Sequence, residues 1–249
     1  MNCWRRFDFK SVILFAGYVG ERTTTCRREL ERVGLYPDVA PIWTATSPAD
    51  KMIAERAFCT NMVRGNLGFV NSLMAHYRAV KCAWTVGAKR VLVMEDDIRF
   101  LKDDELLQAI VESMPEDTDV GLLDWWFPAK ATDADYAELA AAESVATFWK
   151  PFRNLRSAAC YTMSACGMRA FMKLVEDGFT GAGKLRITDQ YWPHLAADPS
   201  LKCYCAWPCA AVQGWAGTSA DGRPQNLSNM EKIWKRYNKI GIERKRYAE

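Results

Sequence analysis

Residues 91–100, VLVMEDDIRF, limit the fold more than any other stretch of the chain. Val91, Leu92, Val93 and Met94 show no polar alternation, so both faces of this strand must be covered, as in a sheet flanked by helices. The run stops at three adjacent carboxylates, Glu95, Asp96 and Asp97. Carboxylates crowded at the mouth of a buried strand repel one another and lose hydration, so they need a positive charge nearby. A divalent cation is the usual one and would suit a phosphorylated ligand. The competing reading is a solvated turn before the next helix, which Asp103 and Asp104 are placed to cap.

The flanking sequence alternates strand and helix signals. Residues 11–16 read as a first strand, 21–33 as a helix closed by Gly34, and 39–44 as a second strand. Leu67, Val70, Met74, Tyr77, Val80 and Trp84 recur at helical spacing and lead through Gly87 into the acidic strand. Beyond it, 103–114 predicts a helix stopped by Pro115 and 120–123 a strand ending in Asp124, Trp125 and Trp126. An alanine-rich helix is expected over 133–146 and a strand over 158–163, with Ser164 capping the helix after it. A short helix over 188–196 and a strand over 201–206 follow, and 209–225 reads as a loop. Ser228 and Glu231 form a capping-box pattern for a terminal helix. This β-α-β order predicts one α/β domain over 1–249, a mainly parallel sheet with helices on its faces. Its core spans about residues 11–221, with a C-terminal loop and a basic helix over about 227–246.

A net charge of +3 does not argue for nucleic acid. Lys232, Lys235, Arg236, Lys239, Arg244, Lys245 and Arg246 cluster at the C-terminus and could touch an anionic membrane surface or form a solvated helix face. The nine cysteines come without a signal-peptide pattern, because Asp8 and Lys10 interrupt the only candidate. Reduced thiols and a cytoplasmic location, with at most peripheral membrane contact, are expected. Cys203, Cys205 and Cys209 lack paired zinc-knuckle spacing and read better as buried strand residues. No P-loop or dinucleotide glycine motif is present. His76 and His194 have no evident nucleophile partner, and both read as structural or surface residues.

Carboxylates thus stand at or near several strand ends: Glu95–Asp97, Asp124, and Asp189 at the start of a helix. In an open α/β sheet ligands bind beyond the C-terminal strand ends, so these groups could share one crevice. Strand alternation would pair Glu95 with Asp97 and turn Asp96 away, unless the strand bends at its end. Hard oxygen ligands suit Mg²⁺ or Mn²⁺ bridging to a diphosphate.

The order of motifs resembles glycosyltransferase family 25, the lipooligosaccharide galactosyltransferases and their collagen-modifying relatives. The resemblance rests on VILFAGYVGERTTTCRRELERVGL with Arg22 and Arg27, GNLGFVNSLMAHYRAV followed by VMEDDIRF, ACYTMSACGMRAF with Tyr161, and ITDQYWPHL with KCYCAWPCAAVQ. It runs from about residue 11 to 221. The family's usual Ser-His pair is Ser72-Leu73 here, with His76 one turn on, and Ala16-Gly17 replaces the usual Asn-Leu after the first strand.

The resemblance implies a GT-A fold and a metal-dependent, inverting transfer of a sugar, galactose above all. The donor would be a nucleoside-diphosphate sugar, UDP-galactose or UDP-glucose, and the acceptor a glycan or lipid-linked saccharide, as in lipopolysaccharide biosynthesis. It implies Mn²⁺ or Mg²⁺ on Asp97 with Glu95 or Asp96, and Asp189 as general base with Asp124 second. Arg22, Glu95, Asp96, Gln213, Ser219 and Asp221 would lie near the nucleotide sugar. Trp125, Trp126 and Trp215 could stack on sugar rings or simply be core. Another metal-dependent phosphoryl or nucleotidyl transferase, or a non-catalytic nucleotide-sugar binder, could use the same strand-end carboxylates.

Overall fold

A computed structural model describes residues 3–14, 21–44, 67–128, 130–214 and 246–247. Seven strands form the main sheet: β1 (Phe9–Leu14), β2 (Ala40–Trp43), β3 (Arg90–Glu95), β5 (Val120–Leu122), β6 (Trp149–Pro151), β7 (Cys160–Ser164) and β8 (Cys203–Ala206). Their spatial order is β2-β1-β3-β7-β5-β8-β6. β2, β1, β3, β5 and β8 run in one direction, while β7 and β6 are reversed. The fold is therefore α/β with a mostly parallel sheet, as expected, but an antiparallel strand sits at its centre. A second sheet pairs β4 (Ile98–Phe100) with β9 (Ala211–Gln213).

The helices are α1 (Glu21–Arg32), α2 (Leu67–Thr85), α3 (Asp104–Glu112), α4 (Asp133–Ala141), α5 (Ala165–Thr180) and α6 (Trp192–Ala196), with 3-10 turns at Cys3–Arg6 and Thr188–Gln190. Their ends follow local chemistry. Gly34, at φ 73°, lets Leu35 N–H return to the Leu30 carbonyl at 2.8 Å and closes α1. Asp103 accepts from Leu106 N–H to start α3, and Thr132 and Asp135 make a reciprocal capping box on α4. Ser164 caps α5. Three helices run shorter than their periodicity suggested: α3 ends at Glu112, α4 at Ala141, and residues 188–196 divide into the 3-10 turn and α6. Pro193 sits in the first turn of α6, where its missing N–H has no helical partner to lose.

The reading of 209–225 as loop is corrected at its start, where β9 pairs with β4. Three-residue strands are too short for a period-2 pattern to show. β6 was hidden for the same reason and because it carries Pro151, tolerated here on an edge strand. The expected terminal helix from Ser228 and the basic cluster up to Lys245 lie outside the described residues.

Val91, Leu92, Val93 and Met94 are fully buried, as their unbroken apolar run requires. Cys203 and Cys205 are both buried on β8, in accord with a strand rather than a zinc reading. The core continues through Trp125, Trp149 and Trp192. Trp125 stacks on Trp207 at 5.5 Å and donates its indole N–H to the Ala206 carbonyl at 2.6 Å, so it is a core residue. No helix among the described residues is long and apolar enough to cross a membrane.

Candidate active site

The chain leaves β1 through α1 to β2 on one side, then returns through α2 to β3 on the other side of β1. In open α/β sheets the point where successive connections leave to opposite sides, here at the C-terminal ends of the paired strands β1 and β3, is the usual place for a ligand. Glu95 ends β3 opposite Ile13 of β1. Asp96 and Asp97 then form a turn, so strand alternation stops before it can set their directions.

Arg22, in the first turn of α1, reaches into this turn. Its Nε donates to Asp96 Oδ1 at 2.6 Å, and one terminal nitrogen lies 2.5 Å from Asp96 Oδ1 and 3.2 Å from Asp97 Oδ2. All three groups are buried. The positive charge that the acidic triplet demands is thus supplied in part by the chain itself. Asp96 faces the arginine rather than turning away from Asp97.

Glu95 turns elsewhere. Its Oε1 lies 3.0 Å from His76 Nε2, and His76 Nδ1 lies 3.1 Å from the Tyr161 hydroxyl. His76, fully buried on α2, therefore bridges α2, β3 and β7 and holds the Glu95 carboxylate in place. Its structural role matches the expectation; its link to the acidic site was not visible in sequence spacing. His194 is exposed.

Asp97 is held by three elements. Gln213 Nε2 at the end of β9 donates to Oδ2 at 3.1 Å, Gly214 N–H donates to the Asp97 carbonyl at 2.6 Å, and Arg22 completes the set. A Cβ at Gly214 would come within 2.4 Å of that carbonyl, so this close approach needs glycine. Asp97 Oδ1 is buried and has no hydrogen-bond partner. Burial raises the Asp97 carboxyl above its usual range and Glu95 adds to this, outweighing Arg22, Gln213 and Arg99.

Asp189, in the 3-10 turn before α6, is half-buried with Oδ1 fully enclosed and unpartnered. Desolvation lifts its carboxyl from 3.8 to about 6. Glu95 also pushes it up, while Arg156 and the main-chain N–H groups of Ser157 and Asp189 oppose the rise. Asp189 and Glu95 thus share one electrostatic neighbourhood. Asp124, after β5, is fully buried, and the Ser157 hydroxyl donates to its Oδ2.

Arg27, the second arginine of the resemblance, points to the surface, pairing with Glu31 at 2.8 Å and covering the Tyr36 ring. Trp126 is half-buried and bridges Arg156 through its backbone. Ser219, Asp221 and Trp215 lie outside the described residues.

Among the described residues no three His, Cys, Asp or Glu side chains gather into a closed metal cage. What the described residues of this turn offer a cation is one carboxylate oxygen without a hydrogen bond. Mg²⁺ and similar hard cations need only one or two carboxylates when substrate phosphates and water complete the shell. Asp97 Oδ1 is such a carboxylate oxygen, buried and uncommitted. Asp96 Oδ1 is engaged by Arg22 and Glu95 Oε1 by His76.

No family model and no curated protein matches the chain. Solved structures do. The chain is similar to mannose-1-phosphate geranyltransferase from Thermus thermophilus, with TM-score 0.40 and 13% identity over 91% of this chain and 78% of that one. It is similar to mouse xyloside xylosyltransferase 1 in its apo form, with TM-score 0.37 and 7% identity over 78% of this chain and 83% of that one. A third is a glycosyltransferase involved in the glycosylation of the major capsid of PBCV-1, with TM-score 0.34 and 8% identity over 91% and 99% of the two chains. All three are transferases by name, and the likeness lies in the outline of the α/β fold.

Proposed function

We propose that this chain is a nucleotide-sugar-dependent glycosyltransferase that inverts the anomeric centre. The observation that carries the reading is the buried Oδ1 of Asp97, without a hydrogen bond, in the turn that follows the C-terminal end of β3, with a carboxylate of raised pKa, Asp189, in the same electrostatic neighbourhood. The family 25 resemblance favours galactose as the sugar, UDP-galactose or UDP-glucose as donor, and a glycan or lipid-linked saccharide as acceptor. Mn²⁺ or Mg²⁺ held by Asp97 would supply Lewis-acid stabilisation of the departing diphosphate.

The remaining chemistry belongs to the chain. Asp189 accepts the proton of the acceptor hydroxyl; the acceptor oxygen bonds to the anomeric carbon as the bond to the diphosphate oxygen breaks. A base with pKa about 6 is mostly ionised at neutral pH yet basic enough to take the proton in the transition state. Arg22 holds Asp96 and Asp97 close together through hydrogen-bonded ion pairs, and Gln213 fixes the Asp97 carboxylate through Oδ2, leaving Oδ1 without a hydrogen bond. Asp124 acts as a support rather than a base, since it is fully enclosed and held by Ser157.

Thermal unfolding with UDP, UDP-galactose and UDP-glucose, each with and without Mn²⁺, tests donor binding, because a ligand selective for the folded state raises Tm. Donor hydrolysis then tests turnover. Mn²⁺-dependent stabilisation and sugar release that both vanish in Asp97→Asn support the reading. Nucleotide cleavage without a free sugar would point to a phosphoryl or nucleotidyl transferase, and binding without turnover to a non-catalytic relative. Unchanged behaviour of Asp97→Asn would remove Asp97 from the site.

A further inference from the structure

Ser157 is the non-glycine residue with positive φ among the described residues, at 99°. A side chain in this region is strained and persists only where the surroundings over-determine it. Here they do. Ser157 is buried. Its hydroxyl donates to Asp124 Oδ2 and accepts from Ala159 N–H at 3.3 Å. Its carbonyl accepts from the indole N–H of Trp192, the first residue of α6, and its own N–H faces the Asp189 carboxylate. One residue therefore ties the end of β5 to the segment that carries Asp189.

The unusual φ is what allows this. It sets the peptide planes on the two sides of Cα so that the N–H turns toward the Asp189 side while the carbonyl accepts from the Trp192 indole. Rotation to an ordinary negative φ would swing the preceding peptide and take that N–H away from Asp189. The Asp124 carboxylate, too deeply buried to serve as a base, has a role in this arrangement: it anchors the hydroxyl and so holds the backbone in its strained pose.

We infer that Ser157 is a positioning residue for Asp189, acting through its left-handed backbone, which Asp124 locks through the hydroxyl. This rests on the glycosyltransferase reading for its catalytic consequence, but the backbone pose can be measured without it. Ser157→Gly and Ser157→Ala both remove the hydroxyl and add no bulk. Glycine keeps the left-handed pose at no steric cost, whereas alanine, freed of its anchor, relaxes.

The test reads both variants by the Trp192 indole N–H resonance, assigned by its loss in Trp192→Phe, and by kcat and donor KM. In Ser157→Gly the backbone still reaches φ 99° but loses its anchor on Asp124, so the resonance stays near its wild-type position and kcat falls only a few-fold. In Ser157→Ala the resonance shifts and kcat falls about 5- to 30-fold below the glycine variant, the population change expected from the left-handed penalty, with donor KM unchanged. Equal behaviour of the two variants, in either readout, would overturn the inference. A wild-type protein without transfer activity, but with the resonance differing between the variants as stated, would refute the glycosyltransferase reading and leave the positioning role standing.

Discussion

Asp189 offers a test in which stability and function move in opposite directions. Its carboxyl is raised from 3.8 to about 6, chiefly by desolvation. The folded protein therefore holds this proton more tightly than the unfolded chain does. Relative to an unperturbed carboxylate, the folded state is favoured below about pH 4 and loses that increment as the pH climbs through about 6. The full rise corresponds to about 3 kcal/mol at neutral pH. Because the residue is half-buried and Arg156 lies nearby, a penalty of roughly 1–3 kcal/mol is the expected range. Asp189→Asn removes the charge and preserves the shape. It should raise Tm at pH 7.5 by about 2–12 °C, using roughly 2–4 °C per kcal/mol for a chain of this size. The gain should shrink steadily from pH 6 to pH 4 and disappear below pH 4, where the wild-type side chain is neutral too. Calorimetric scans of both proteins from pH 3.5 to 8 provide the measurement, with donor turnover followed alongside and expected to drop about 10²–10⁴-fold. A Tm difference that stays flat with pH, or favours wild type at neutral pH, would refute the claim that this carboxylate is ionised against its surroundings.

Arg22→Ala leaves two buried carboxylates without their cation and should cost about 3–5 kcal/mol in denaturant unfolding. Arg22→Lys should recover only part of this loss, since a point charge cannot replace the guanidinium fork that spans Asp96 and Asp97; full recovery would show that charge alone matters. Gly167→Ala places a Cβ 2.1 Å from the Asp119 carbonyl, so α5 must shift and stability should fall by about 1–3 kcal/mol, read from the urea midpoint. His76→Phe strands the Tyr161 hydroxyl and frees Glu95, with an expected loss of about 1–3 kcal/mol. A variant as stable as wild type would mean that the relay carries no weight.

The covered strand and its acidic end were legible because four consecutive apolar residues have no other economical placement in a soluble chain. Gly34 and Ser164 marked helix ends through chemistry confined to a few neighbouring residues. What escaped the sequence depends on distance or direction. Nothing in CYTMS distinguishes the reversed central strand β7 from a parallel one; direction follows from how the connections pass over the sheet. β4 and β9 are each three residues long and find each other across more than a hundred positions. The need for a cation beside Glu95–Asp97 was readable from charge, but Arg22 stands 74 residues before Asp96, and the sequence placed it near the nucleotide sugar rather than on the carboxylates themselves. Ser157 carried no signal, because a positive φ leaves no mark in residue type unless glycine fills it.

Arg22 also bears on how the protein can be handled. In metal domains whose ligands repel one another until the ion arrives, folding and loading are a single event, and a chelator unfolds the protein. Here a covalently attached guanidinium already sits between Asp96 and Asp97. Part of the neutralisation arrives with the polypeptide, so folding should not have to wait for an ion. The chain is then expected to keep its fold when purified in chelating buffer, so that an added cation becomes a free experimental variable.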